Sequence, residues 1–382
     1  MFRADALSVC RALLPTWSGV LDARLEPITG GITNTLRKVV PSVFFEKENE
    51  NGTNEPSPSE PEPGPVVLRV FGRGTEAFLD RDTENAALAE LNACGFGARC
   101  LGVFKNGRLE AFLADARPAA PAEMADASVS RAVAAALRRF HACDARARLG
   151  DPLPANISPK RSQTWDIMRS WHAAATSGAA ATRDPRLAAL GLDGMARDVD
   201  ALEAATARAA DAPTVLLHND ALAGNVMLPA GYRPGSRELG HEPPTVTLID
   251  FEYSCYGPRG FDLANHLIEH AGFECDWRAL PSRAFRRDFC AAYLGDEAAD
   301  EAAVTKLRLE TEAFYPVSHL WWGLWAAMQA RTSTIDFDYA GYAAKRLAEF
   351  RRLLNDGRRE SDGRRRPPAT TDDDDADVFG PH

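Results

Sequence analysis

The chain has 382 residues, 45% of them apolar, which suits two lobes or domains better than one small core. Its formal net charge is -10, so it is a poor general binder of nucleic acid or of an anionic membrane, and any phosphate binding must come from local features. Seven cysteines, odd in number, scattered and without a CxxC pair, argue against a disulfide framework or a zinc site and fit a cytoplasmic protein, and no stretch approaches the ~20 apolar residues of a membrane-spanning helix.

The opening segment, MFRADALSVCRALLPTW, has no apolar run followed by a cleavage site. It reads as a first surface helix, with a transit peptide as the alternative. Residues 24–40 read as strand, turn and strand around Gly30-Gly31. Over residues 41–65 the composition shifts to Glu, Pro, Asn and Ser. Such a segment buries too little to order itself and reads as a disordered insertion between two strands. The Asn51-Gly52-Thr53 sequon inside it is a chance match in a cytosolic chain. VVLRVF (66–71) resumes as a strand, residues 80–94 read as a helix, and residues 99–115 as a further hairpin. The sequence then turns Ala-rich and helical, with Val133, Leu137 and Phe140 on one apolar face. Residues 178–185 read as a loop and 187–210 as a helix. Short strands are expected at Val215 to Leu217 and Val246 to Ile249, with a turn-rich loop between them. Helices dominate from 260 to about 354. Residues 356–382, with Arg364 to Arg366 and then Asp372 to Asp375, read as a disordered acidic tail.

Two segments carry the chemistry: TVLLHNDALAGNVML (214–228) and VTLIDFEYSCYGPRGFDLANHLIEHAG (246–272). Each begins with a short apolar strand that ends in polar residues. Phosphoryl transfer needs a carboxylate to take the proton of the attacking hydroxyl, and oxygen ligands for Mg²⁺ on the phosphates. Asp220 is the candidate base. Asn225, five residues on, can be presented by the same loop, and Asp250 arrives from a separate strand end to meet the same metal. This is the spacing logic of a kinase catalytic loop followed by a metal-binding Asp. His218 reads as a support that hydrogen-bonds within the loop, and Asp262 as its brace. Glu252 either ligates a second Mg²⁺ or faces solvent.

HNDALAGN together with LIDFEYSCYGPRGFDLANH resembles the choline/ethanolamine kinase family. GGITNTL (30–36), LRVFG (68–72) and SHLWWGLWAAMQA (318–330) add to the likeness, which covers roughly residues 20–350. The resemblance implies a bilobal, protein-kinase-like α+β fold with ATP and Mg²⁺ as cofactors. Residues 1–115 would form a small β-rich ATP-binding lobe, 116–355 a larger, mainly helical catalytic lobe, and 356–382 the tail. Asp220 then matches the family's base, and Asn225 and Asp250 its metal ligands. The Gly30, Gly31, Thr33 and Asn34 turn would cover the phosphates. Arg69 stands where protein kinases place a phosphate-binding Lys. A cation among Val, Leu and Phe needs an anion, which ATP or Glu84 on the next helix can supply. Glu110 to Asp115 would form the hinge near adenine. Tyr253, Trp322 and Trp325 would wall an ammonium pocket, with Glu269 as its carboxylate and Trp321 on a neighbouring helix face. Pro316 departs from the family pattern and either starts that helix or kinks it. GGITN, DRDTE and NHLIEHAG look more like ethanolamine kinases than choline kinases. The implied reaction is phosphorylation of ethanolamine, first step of phosphatidylethanolamine synthesis by the CDP-ethanolamine route. Choline kinase, another small-molecule phosphotransferase of the same fold, and a nucleotide-binding pseudokinase scaffold are the alternatives. The expected partners are a small amino alcohol and neither nucleic acid nor an integral membrane; a homodimer is left open.

Overall fold

The computed structural model describes residues 3–28, 34–44, 62–72, 81–143, 162–177, 184–209, 213–234, 244–295, 299–333 and 335–361. Helix α1 (Arg3–Leu13) presents Ala6 and Cys10, four residues apart, to a core shared with Trp17 and Val20. Strands β1 (Val20–Ile28), β2 (Asn34–Phe44) and β3 (Val66–Phe71) are followed by helix α2 (Arg81–Ala93), then β4 (Cys100–Phe104) and β5 (Gly107–Ala111). The strands form one antiparallel sheet in the order β1-β2-β3-β5-β4. Alternation along the strands decides what reaches the cleft. Val66, Leu68 and Leu109 point into the core under α1, while Val67, Arg69, Arg108 and Glu110 line the cavity on the other face.

The second part begins with β6 (Ala116–Pro118) and α3 (Ala127–His141). Asp126 caps α3, accepting from the N–H groups of Ser128 and Val129. Val133, Leu137 and Phe140 are fully buried on the face expected of them. Helices α4 (Thr164–Thr176) and α5 (Met195–Ala209) precede β7 (Thr214–Leu217), β8 (Val226–Pro229), β9 (Thr247–Leu248) and β10 (Cys255–Pro258). Helices α6 (Arg259–Ile268), α7 (Arg283–Leu294), α8 (Glu301–Glu312), α9 (Tyr315–Thr332) and α10 (Tyr339–Ser361) complete the described chain. Helix α9 is buried almost all round, its centre a run from Val317 to Gln329. Pro316 sits in its first turn, where a missing N–H costs nothing, so the register of the tryptophans after it is regular. Gly323 lets α10 lie close, since a Cβ there would meet the Leu347 side chain at 2.5 Å. No described helix is long and apolar enough to cross a membrane.

Four expectations change. Strand β2 continues through Pro41 to Phe44, inside the range read as an insertion. The reason is its pairing: β3 accompanies β2 only as far as Val39, so Pro41 has β1 as its single recorded neighbour and its lack of a donor is tolerated. Residues 45–61 of that range, and 362–382 of the tail, lie outside the described residues, whereas the start of the tail is the end of α10. The helix expected over 187–210 starts at Met195, because Gly191 adopts φ 63° and divides two short 3₁₀ turns ahead of it. The cysteine reading is also corrected. Cys94, just after α2, is disulfide-bonded to Cys143, just after α3, with Cα atoms 6.6 Å apart; Cys10, Cys100, Cys255, Cys275 and Cys290 are free.

Candidate functional site

Strand β7 leads through the fully buried His218 and Asn219 to Asp220, which lines a cavity of about 550 Å³. The loop is fixed from behind. Asp262, fully buried in the first turn of α6, accepts N–H bonds from His218 and Asn219, both at 2.7 Å. His141 of α3 meets the same carboxylate through Nε2 at 2.8 Å. Burial alone would raise the Asp262 carboxyl, but His141, His218 and the loop amide hold it below its ordinary value. His218 contacts the Ile249 carbonyl through Nε2 at 3.1 Å and accepts the Asp220 N–H on Nδ1 at 3.2 Å. Burial pushes this imidazole down, so it stays neutral and acts as the expected support.

Asn225 turns back onto the loop, its Nδ2 donating to the Asp220 carbonyl and to Asp220 Oδ2, both at 2.8 Å. That leaves the Asn225 Oδ1 as the atom open to a cation. The neighbouring strand pair brings in the second carboxylate. β8 and β9 align Val226 with Leu248, and the Ile249 N–H donates to the Asn225 carbonyl at 3.0 Å, so Asp250 arrives beside Asn225. Asn219 (φ 66°) and Asp250 (φ 68°) both hold left-handed backbone, a strain that short polar side chains bear best. Burial comes first in raising the Asp220 carboxyl well above its usual value, followed by the charges of Glu269, Asp250 and Glu252. Asp220 therefore has a raised affinity for a proton, the property a general base needs.

On the β-rich side, Arg69 donates through Nε to Glu110 Oε1 at 2.8 Å and pairs through Nη1 with Asp250 Oδ1 at 3.2 Å. Burial would lower this guanidinium, but Asp250, Glu110 and Glu252 hold it above its ordinary value, so it is a fixed cation. Its carboxylate partners are Glu110 and Asp250; Glu84, offered by the sequence alongside ATP as the anion for Arg69, instead takes Arg108 at 2.7 Å. Asn34 donates from the start of β2 to Glu252 Oε2 at 3.1 Å, tying that strand end to the Asp250 segment. Gly30, Gly31 and Thr33 lie outside the described residues. Of the residues read as a hinge, Glu110 points back to Arg69, while Ala111, Phe112 and Leu113 line the cavity wall.

At the other end the cavity is aromatic. Tyr253, Trp322, Trp325, Phe273 and Tyr342 line it together with Glu269. Tyr253 meets Trp322 edge-on with ring centroids 5.3 Å apart, and accepts the Trp325 indole N–H on its hydroxyl at 2.9 Å. Trp321 faces the other way, against Trp171 (4.5 Å) and Phe261, as its helix position predicts. Glu269 is held through Oε1 by Arg346 at 2.7 Å. Arg108, Tyr342, Phe273 and Arg346 were not singled out from sequence. Tyr342 and Arg346 stand four residues apart on α10, an aromatic-cation spacing that would have marked one helix face.

These residues fit a magnesium nucleotide. One amide and two carboxylates, Asn225, Asp250 and Glu252, suit an ion that keeps several waters, and Arg69 stands beside them for phosphate oxygens. Among the described residues no three His, Cys, Asp or Glu side chains gather into a denser metal cluster.

The family model described as choline/ethanolamine kinase matches residues 25–351. The "Probable ethanolamine kinase" of Arabidopsis thaliana is 34% identical, with 91% of this chain and 84% of that protein covered. "Probable choline kinase 2" of the same plant is 29% identical, with 89% of each covered. Among solved structures, the Plasmodium vivax ethanolamine kinase superposes with a TM-score of 0.68 at 25% identity, covering 86% of this chain and 82% of that one.

Proposed function

The chain belongs to the choline/ethanolamine kinase family, and from that premise we propose that it transfers the terminal phosphoryl group of ATP to the hydroxyl of ethanolamine, giving phosphoethanolamine. In this reading residues 1–115 form the nucleotide-binding lobe and 116–355 the catalytic lobe. The observation that carries the proposal is the meeting, in one cavity, of a proton-hungry Asp220 with a cation-ready end built from Tyr253, Trp322, Trp325 and Glu269 and a phosphate-ready end built from Arg69 and Asp250.

Magnesium-bound ATP supplies the electrophilic phosphorus and the charge neutralisation that phosphoryl transfer needs. The rest is done by this chain. Asn225, Asp250 and Glu252 would hold the ion, and Arg69 and Asn34 would steady the phosphates; the segment with Gly30, Gly31 and Thr33 keeps its expected nucleotide role as part of the proposal. Asp220, oriented by Asn225, accepts the hydroxyl proton as the oxygen attacks in line. Trp322, Trp325 and Tyr253 exclude water and face the ammonium with their rings, each contact contributing about 0.5–2 kcal/mol. Glu269, one oxygen held by Arg346, offers the other to an ammonium N–H. A primary ammonium has three such donors and a quaternary one has none, which favours ethanolamine over choline. The aromatic wall by itself would also serve choline, and that is the second reading. A cytoplasmic location and an open question of homodimerisation go with the proposal; cell fractionation and light scattering address them.

Release of ADP with ethanolamine, with choline and with no acceptor tests the proposal. Faster turnover of ethanolamine at equal subsaturating concentrations is expected. Faster turnover of choline would overturn the selectivity, and ADP release independent of either acceptor would overturn the acceptor class.

A further inference from the structure

Arg69 and Arg108 lie directly opposite each other across β3 and β5. Like charges in that position repel, and both are buried, so the arrangement needs a bridge. Glu110, two residues beyond Arg108 and on the same face, is that bridge: its Oε1 accepts Arg69 Nε at 2.8 Å and Arg108 Nε at 2.6 Å. Arg108 continues outward through Nη1 to Glu84 Oε1 at 2.7 Å and Asn85 Oδ1 at 3.2 Å, both on α2. An unbroken line of ion pairs therefore runs from α2 to the metal-site carboxylate: Glu84, Arg108, Glu110, Arg69, Asp250.

We propose that Arg108 is a positioning residue, which couples the seating of helix α2 to the aim of Arg69 at the phosphates. This rests on the kinase reading above. The geometry gives the reason: Glu110 holds Arg69, its shared Oε1 is also taken by the second guanidinium, and that guanidinium is tied in turn to Glu84 and Asn85 where α2 places them. A planar guanidinium is needed because it presents separate N–H groups to two carboxylates, which a Lys ammonium cannot do with the same fixed fork.

The test is a variant that removes the outer link without stranding a buried charge. Glu84→Met/Arg108→Met deletes one charge of each sign and leaves the Arg69–Glu110 pair intact, so the fold is retained; Arg108→Lys is the conservative companion. Calorimetric titration with ATP in the absence of acceptor reads the link directly, and steady-state kinetics separate the KM for ATP from that for ethanolamine. About tenfold weaker ATP binding is expected for the double variant, with a matching rise in the KM for ATP. The KM for ethanolamine should stay within about twofold, and Arg108→Lys should fall between, recovering part of the ATP affinity. ATP binding equal to wild type in a folded double variant would overturn the proposal, as would an equal rise in both KM values. The binding measurement contains no acceptor, so an error about ethanolamine shows in wild-type turnover alone, and an error about Arg108 shows in the ATP titration.

Discussion

The two ends of the cavity are held by different physics. At the acceptor end, Tyr253, Trp322 and Trp325 touch edge-to-face and continue into a core with Trp171, Trp321 and Phe261. At the phosphate end, Arg69, Arg108, Glu84 and Glu110 are buried as ions whose charges cancel in sequence. Packed rings lose their contribution in proportion to what is removed. A buried charge that loses its partner keeps its full desolvation penalty, so the ionic end should fail abruptly and the aromatic end gradually.

Four substitutions test that contrast. The largest effect is expected at Glu110, which two arginines share. Glu110→Leu leaves both short of a partner and should destabilise the fold by about 3–5 kcal/mol, read as a fall in the midpoint of denaturant unfolding. Unchanged stability would mean the network is not tightly closed. Next is Asp250→Asn, which withdraws a carboxylate proposed to hold the metal. Turnover should drop by roughly a hundredfold or more, with a higher magnesium concentration for half-maximal rate. Trp322→Ala at the aromatic end should raise the KM for the acceptor by about tenfold, in line with ~1–2 kcal/mol of lost ring contact, while the KM for ATP stays near its wild-type value. The smallest effect concerns pH. Asp220 must be ionised to act, so activity is present above its raised pKa and is lost as pH falls through it. After burial, the Glu269 charge is the largest cause of that rise. Glu269→Gln should therefore move the acid limb of the kcat profile to lower pH; a shift upward would contradict the assignment of the limb to Asp220.

How much of this could be read from the sequence follows the same division. The closeness of Asp220 and Asn225 was legible because it is local: they are five residues apart, and the Nδ2 bonds from Asn225 back to Asp220 span that short loop. Asp250 was legible as a carboxylate at the end of an apolar strand. The Trp322–Trp325 pair was placed by helical spacing once Pro316 was accepted as a first-turn residue. The ion network was not legible. Glu84 and Arg108 are 24 positions apart and their meeting depends on the β3–β5 register, so the sequence offered ATP or Glu84 itself as the anion for Arg69. Likewise Cys94 and Cys143 are 49 positions apart and are joined by the approach of two helix ends that no spacing rule describes. The segment before α5 misled because its residues are mostly ordinary helix formers, broken at Gly191, which adopts φ 63° and divides two 3₁₀ turns.

The central claim is that Asp220 takes the proton of the acceptor hydroxyl while separate groups hold the nucleotide. Asp220→Asn keeps the shape and an acceptor for the Asn225 amide but removes the base, so parallel measurement of ethanolamine-dependent ADP release and of ATP binding tests it most directly. The account predicts turnover reduced by about a thousandfold with ATP affinity within a few-fold of wild type. Retained turnover, or ATP binding lost together with turnover, would contradict it.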